Sequence, residues 1–235
     1  MTETIKEKDF IELEFTGRLA QDNSVFDTNN EKVAKENNLF NPKVPYIPVI
    51  ICVGEKQVLP GLDKELVGKE ITKDYKTEFS AEEGFGKKDV KKVQLVPLST
   101  FKENELQPYP GLQVDFDGKM GTVMRVSGGR VMVNFNHPLA GRSLVYEFKI
   151  IKKVTDLKIQ LESYIVKAMQ LPKEMIKVDV KDEIGIVEIP FELPEQFTKP
   201  AIKKILELIK LKKIEFKKKE IDMTKQVDQN SQPRV

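Results

Sequence analysis

Hydrophobic and polar residues alternate through Phe10-Ile-Glu-Leu-Glu-Phe-Thr16, the period of a half-buried strand, and Gly17 is expected to stop it. A polar turn, Gln21-Asp-Asn-Ser24, leads into Val25-Phe26-Asp27. Residues 31–40 read as a short helical segment ended by Asn41-Pro42, and Pro45 and Pro48 keep the chain extended before an apolar strand over 49–53. Gly54 breaks that strand. Val58-Leu59-Pro60-Gly61-Leu62 opens a helix with Leu59, Leu62 and Leu66 on one face and Gly68 as its stop. A strand over 75–79 follows, and a strand-rich unit with one short helix predicts a sheet wrapped on that helix.

From Lys87 the pattern changes. Leu112/Val114/Phe116 and Val131/Val133/Phe135 alternate as strands, and Ser127-Gly-Gly-Arg130 is a hairpin turn. Asn136-His-Pro-Leu-Ala-Gly141 then turns into a long alternating strand over 143–154. The last third reads as αββαβ. Leu157, Leu161, Tyr164, Ile165 and Ala168 have helical spacing, and Ile176/Val178/Val180 with Val187/Ile189 form a hairpin. A second helix starts at Pro200, and residues 213–216 make a final strand. Ile202, Ile205, Leu206, Leu208, Ile209 and Leu211 surround that helix more fully than one core stripe requires, so this unit is expected to form a homodimer. The fold class is α+β.

Composition narrows the function classes. The 235 residues are 40% hydrophobic and 32% charged with a formal net charge of +2, which fits a globular protein with no general affinity for polyanions. The many Lys and Glu residues are compatible with a thermophilic source. A polar N-terminus and apolar stretches no longer than a strand predict a soluble, cytosolic protein with no membrane partner. The single Cys52 reads as a buried strand residue. One Cys and one His exclude a Cys/His metal cluster, so neither metal nor cofactor is expected.

Phe15-Thr-Gly17, Val25-Phe-Asp27, Gly54-Glu-Lys-Gln-Val-Leu-Pro-Gly-Leu62, Gly84-Phe-Gly86 and Leu144-Val-Tyr146 stand in the order of the FKBP-type peptidyl-prolyl cis/trans isomerases. Over residues 9–154 the chain resembles the SlyD-like branch of that family, of the long archaeal type. There an insert-in-flap domain interrupts the fold, and Asn136–Gly141 matches the motif through which it returns. The resemblance implies an isomerase domain of residues 1–86 with 137–154, an insert chaperone domain of 87–136, a C-terminal domain of 155–223 and a flexible tail of 224–235. It implies an antiparallel sheet wrapped on a short helix, and partners that are unfolded or partly folded proline-containing polypeptides. Accelerated proline-limited folding would be the result.

By the same resemblance Asp27, Phe26, Phe85 and Tyr146 are the catalytic residues, and Phe15, Val58, Leu59 and Leu62 bind substrate. The peptide bond resists rotation by about 18–20 kcal/mol because nitrogen donates into the carbonyl. The twisted transition state has lost that resonance and its carbonyl is less polar. A dry apolar pocket therefore favours it without any nucleophile or metal. Asp27 would be the polar member, and the Leu59 N–H would hold a substrate carbonyl. Leu62 stands where the family commonly has an aromatic floor, and the chain has no Trp. Phe85 and Phe15 lack hydroxyls common at their positions, which leaves Tyr146 as a replacement donor.

In the insert, Leu95, Leu98, Met120, Met124 and Met132 are expected to form the chaperone surface, since a small domain cannot easily bury them and flexible methionines suit many partners. His137 is assigned a structural role at the return hinge. A non-catalytic chaperone or peptide-binding module on the same fold is the alternative, favoured by the two missing hydroxyls. A nucleic-acid-associated role is suggested by Lys212-Lys213 and residues 217–219, but a solvated strand edge explains those lysines better. No specific nucleic acid is expected as partner.

Overall fold

The computed structural model describes residues 3–116, 118–170 and 172–218. The 224–235 tail expected from the sequence lies outside them. Two long strands, β1 (Phe10–Leu19) and β9 (Leu144–Lys153), pair antiparallel from Ile11↔Lys153 to Leu19↔Leu144 and form the centre of a five-stranded sheet. β4 (Asp74–Phe79) flanks β9, while β2 (Val25–Thr28) and β3 (Val49–Cys52) share the other edge of β1. Alternation places Ile11 and Leu13 of β1 and Leu144, Tyr146, Phe148 and Ile150 of β9 on one buried face. They close over Leu62 and Leu66 around α2 (Pro60–Glu65). Each fully buried Leu or Ile contributes about 1.5–3 kcal/mol of apolar burial.

β1 does not stop at Gly17. It continues two residues further, and its register against β2 shifts between Gly17 and Arg18. A Cβ at Gly17 would come within 2.7 Å of Phe26 Cζ and 3.0 Å of Tyr146 Cζ, so the glycine admits aromatic rings onto the strand and does not end it. α1 (Glu31–Glu36) is shorter than the predicted 31–40 segment. Asn30 caps its start by accepting from the Val33 N–H, and Asn38 takes a left-handed conformation just past its end.

A second sheet has the order β5 (Val93–Pro97), β8 (Arg130–Asn134), β7 (Lys119–Ser127), β6 (Gln113–Phe116), all antiparallel. α3 (Leu98–Glu103), which the sequence pattern did not reveal, covers it with the fully buried Phe101. Val114, Val123, Val131 and Val133 complete this small core.

The remaining chain forms α4 (Leu157–Met169), β10 (Lys177–Lys181), β11 (Ile184–Ile189), α5 (Glu195–Leu208) and β12 (Lys213–Lys218), in the expected αββαβ order. β12 runs parallel to β11. α5 begins at Glu195, not at Pro200. The Pro194 carbonyl accepts from Phe197 and Thr198 and starts the helix, while Pro200 lies inside it without an N–H to give to the preceding turn.

Ile205, Ile209 and Leu211 are buried, and Ile202, Leu206 and Leu208 partly so, in a core that also contains Phe10, Cys52 and Val154. The apolar surplus from which a dimer was expected is therefore absorbed by the joint between the C-terminal unit and the reverse face of the first sheet. The Val154 N–H donates to the Phe10 carbonyl across that joint, and Lys204 pairs with Glu55 at 2.7 Å. Burial pushes the Cys52 thiol, helped by the charges of Glu55 and Asp63, up to about 12. Lys212, Lys213 and Lys217 pair with Glu183 and Glu215, as a solvated strand edge would. Among the described residues no helix is long and apolar enough to cross a membrane.

Candidate active site

Phe15 on β1, Phe26 on β2 and Tyr146 on β9 meet because β1 lies between the other two strands and Gly17 leaves room above it. Ring centroids are 5.9 Å apart for Phe15–Tyr146 and for Phe26–Tyr146, the latter edge-to-face. Phe85, on the loop after β4, closes the group with an edge-to-face contact to Phe26 at 5.9 Å. Gly84 beside it is required by the close approach of Leu144, whose Cδ1 would stand 2.6 Å from a Cβ there. Val58 and Leu59 pack partly buried against the same core, and Leu62 is fully buried beneath. Seven residues selected from the sequence thus come together at one end of the sheet.

Asp27 pairs with Gly17 across β1 and β2, next to this aromatic cluster. Its carboxyl is raised above the ordinary carboxylate range, first by burial, with the Thr28 N–H and the Lys167 ammonium opposing. The residue as a whole remains open to water on one side, so the lift is a direction, screened by solvent. Tyr146 is 2% exposed; burial and then the charge of Asp27 raise its hydroxyl well above the ordinary tyrosine range. That hydroxyl has no hydrogen-bond partner among the described residues, nor has the Leu59 N–H, so both donors remain available.

Three polar residues that hold this arrangement escaped the sequence reading. Asp63 is buried at the base of α2, where its carboxylate oxygens accept from the Gly54 and Lys56 N–H groups, both at 2.9 Å. Gln57 Oε1 accepts from the Cys52 N–H. Together they fix the turn that presents Val58 and Leu59. Asn29, also buried, bridges the Phe15 N–H and the Leu13 carbonyl at 2.8 Å each, which pins β2 to β1 just below Asp27. A carboxylate followed at helical spacing by apolar residues was the available signal for Asp63, but it is equally the signal of a solvated helix face.

The return motif is a clamp. Asn136 accepts from the Asp89 N–H at 2.8 Å and donates to the Asp89 carbonyl at 2.9 Å, which joins the outgoing and returning chains. His137 lies flat on Phe85, with centroids 4.1 Å apart and planes 6° from parallel. Its Nδ1 accepts from the Leu139 N–H, which assigns the proton to Nε2.

The proposed client residues of the insert separate into two groups. Leu95, Met120 and Met124 are 57%, 59% and 51% exposed. Leu95 pairs with half-buried Met132, and Met124 is the extra residue of a bulge opposite β8. Leu98 is partly buried and packs against the small core. A groove of about 500 Å³ opens beside Met120, and its floor is Phe116 and Phe135, two rings read from the sequence only as strand residues.

Residues 1–102 match the family model for FKBP-type peptidyl-prolyl cis-trans isomerase, and residues 94–139 match that for the FKBP26 IF domain. The chain is 29% identical over 150 residues to a short-type peptidyl-prolyl cis-trans isomerase of Methanocaldococcus jannaschii, an alignment covering 64% of this chain and 94% of that protein. It is 31% identical over 109 residues to a probable FKBP-type 16 kDa peptidyl-prolyl cis-trans isomerase of Pseudomonas fluorescens (44% and 71%). It is 29% identical over 154 residues to the FKBP-type peptidyl-prolyl cis-trans isomerase SlyD of Helicobacter pylori (63% and 74%). By these matches the chain belongs to the FKBP-type peptidyl-prolyl cis-trans isomerases.

Proposed function

We propose that prolyl isomerisation takes place over the cluster of Phe26, Phe85 and Tyr146 beside Asp27, with the proline ring against Phe15, Val58, Leu59 and Leu62. The observation that carries this reading is the meeting of four aromatic rings beside the strand position of Asp27, whose carboxyl is partly desolvated. The Leu59 N–H holds the carbonyl that precedes or follows the twisting bond, and the rings exclude water from the bond itself. The lone pair that the proline nitrogen regains on twisting needs a polar environment, which Asp27 and the Tyr146 hydroxyl supply. Lowering the barrier by ~5.4 kcal/mol gives a ~10⁴-fold acceleration, enough to bring an exchange of about 10–100 s to milliseconds.

Residues 1–86 with 137–154 form the isomerase unit in this reading, 87–136 the client-holding insert and 155–223 the C-terminal unit. The insert supplies exposed Leu95, Met120 and Met124 and the Phe116–Phe135 groove as an adaptable apolar surface for unfolded segments. A cytoplasmic setting accompanies it in this reading. Self-association through the C-terminal unit would draw on exposed Phe191 and Phe197.

The pocket is tested with Asp27→Ala in a protease-free assay of cis/trans exchange in a short X–Pro peptide. We expect kcat/KM to fall at least tenfold while the far-UV circular dichroism and the cooperative melt are kept. Full activity in the folded variant would show that Asp27 is not the polar member of the site.

A further inference from the structure

The C-terminal unit does not sit apart from the isomerase site. Its first helix, α4, runs beside the turn that precedes Val58, and a groove of about 490 Å³ lies between them. Lys56 and Gln57 line one side of it, and Tyr164, Lys167 and Gln170 the other. Val58 and Leu59 follow Gln57 directly in the chain, so the groove adjoins the turn that carries these two residues. Lys167 is also near enough to Asp27 for each charge to be felt by the other.

The charges of this groove are unbalanced. Glu55, its only acid, is held by Lys204 at 2.7 Å. Lys56 gives its backbone N–H to Asp63, but its ammonium has no ion-pair partner among the described residues. The Lys167 ammonium likewise makes neither a hydrogen bond nor an ion pair there. Two ammonium groups without a hydrogen-bond or ion-pair partner among the described residues therefore line a polar channel beside the turn that leads to Val58.

We propose that this groove is a further substrate subsite in which Lys167, with Lys56, takes acidic side chains of the polypeptide flanking the proline. The proposal rests on the pocket reading above. An extended chain covers about 3.3 Å per residue, so a segment leaving Val58 and Leu59 along the 55–57 turn brings its next few side chains against α4. α4 is thereby one wall of the substrate cleft, and Lys167 is a specificity-determining residue contributed from outside the isomerase unit.

The test uses the full-length chain and a fixed X–Pro tetrapeptide extended on either side by three Glu or by three Lys residues. The quantity measured is the ratio of kcat/KM for the acidic and basic extensions at low ionic strength, in wild type, Lys167→Glu and Lys56→Glu. An exposed ion pair is worth about 0.2–1 kcal/mol, so two lysines predict a preference for the acidic peptide of about two- to thirtyfold on at least one side. Lys167→Glu abolishes or reverses it, Lys56→Glu weakens it, and 0.5 M salt flattens it in wild type. A ratio unchanged in Lys167→Glu on both sides, in an enzyme that still turns over both peptides, overturns the subsite and leaves the pocket standing. Loss of the pocket reading itself would appear separately, as insensitivity of both peptides to Asp27→Ala.

Discussion

His137 is stacked on Phe85 at 4.1 Å, so the chain returning from the proposed insert touches a wall of the proposed prolyl pocket. The contact spans the interruption in the chain. Phe85 precedes the insert and His137 follows it, and the Gly141 N–H bonded to the Gly86 carbonyl at 2.8 Å reinforces the closure. A single aromatic pair of this kind is worth about 0.5–1.5 kcal/mol. We expect His137→Ala to lower tetrapeptide kcat/KM by about two- to tenfold and stability by about 0.5–1.5 kcal/mol, while His137→Phe restores both. Equal loss in both variants would assign the effect to the imidazole itself and not to the stack.

Asp63 is expected to matter for both fold and function. Asp63→Ala removes two hydrogen bonds to an ionised acceptor, of which exposed Gly54 recovers part from water. A loss of about 2 kcal/mol is predicted in denaturant unfolding, with unchanged slope. Because the freed turn carries Val58 and Leu59, KM should rise as well. Asp63→Asn keeps the shape but turns a donor toward a backbone N–H, and should be nearly as harmful. A fully active, fully stable Asp63→Asn would show that the turn is held by other means.

Asp27 carries a pH signature. Its pKa is raised in the folded protein, so between about 3.9, the unfolded value, and the folded value the native state binds more protons than the unfolded one. Its contribution to stability is present at low pH and is lost as pH rises through the folded pKa. Asp27→Asn should melt higher than wild type above that window, with the difference shrinking as the pH is lowered through it, and should be less active throughout. A melting difference independent of pH would contradict the desolvated carboxylate.

Much of this was legible because the isomerase motifs are local imprints of close packing. Gly17, Gly61 and Gly84 each face a side-chain carbon within 3 Å of where a Cβ would be, so no larger residue fits. Strand alternation likewise revealed β1, β9 and the β7–β8 hairpin. Other parts were not legible because their causes are tertiary. Ile209 and Leu211 look like surplus until Phe10 and Cys52 are seen beneath them, and Leu98 looks like surface until Phe101 is seen beside it. Pro200 resembles a helix start because nothing near it in sequence shows that Pro194 has already opened the helix. Lys167 lies 140 residues from Asp27, and no local pattern connects them.

The division of labour between pocket and insert is tested most directly by removing the insert. Val93 pairs with Asn134, so an Asn-Gly turn can replace residues 94–133 and leave the Asn136–Asp89 clamp and the His137–Phe85 stack in place. In the proposed reading the pocket alone holds a few residues of an unfolded chain briefly. An adjoining apolar surface that retains the same chain raises the effective concentration of its prolines to the order of millimolar. The decisive measurement compares the shortened and parent enzymes on a tetrapeptide and on a whole protein whose refolding is limited by proline. The account predicts tetrapeptide kcat/KM within about threefold of the parent and a fall of at least about tenfold on the refolding protein, with a cooperative melt retained. Whole-protein refolding catalysed as fast as by the parent would contradict it.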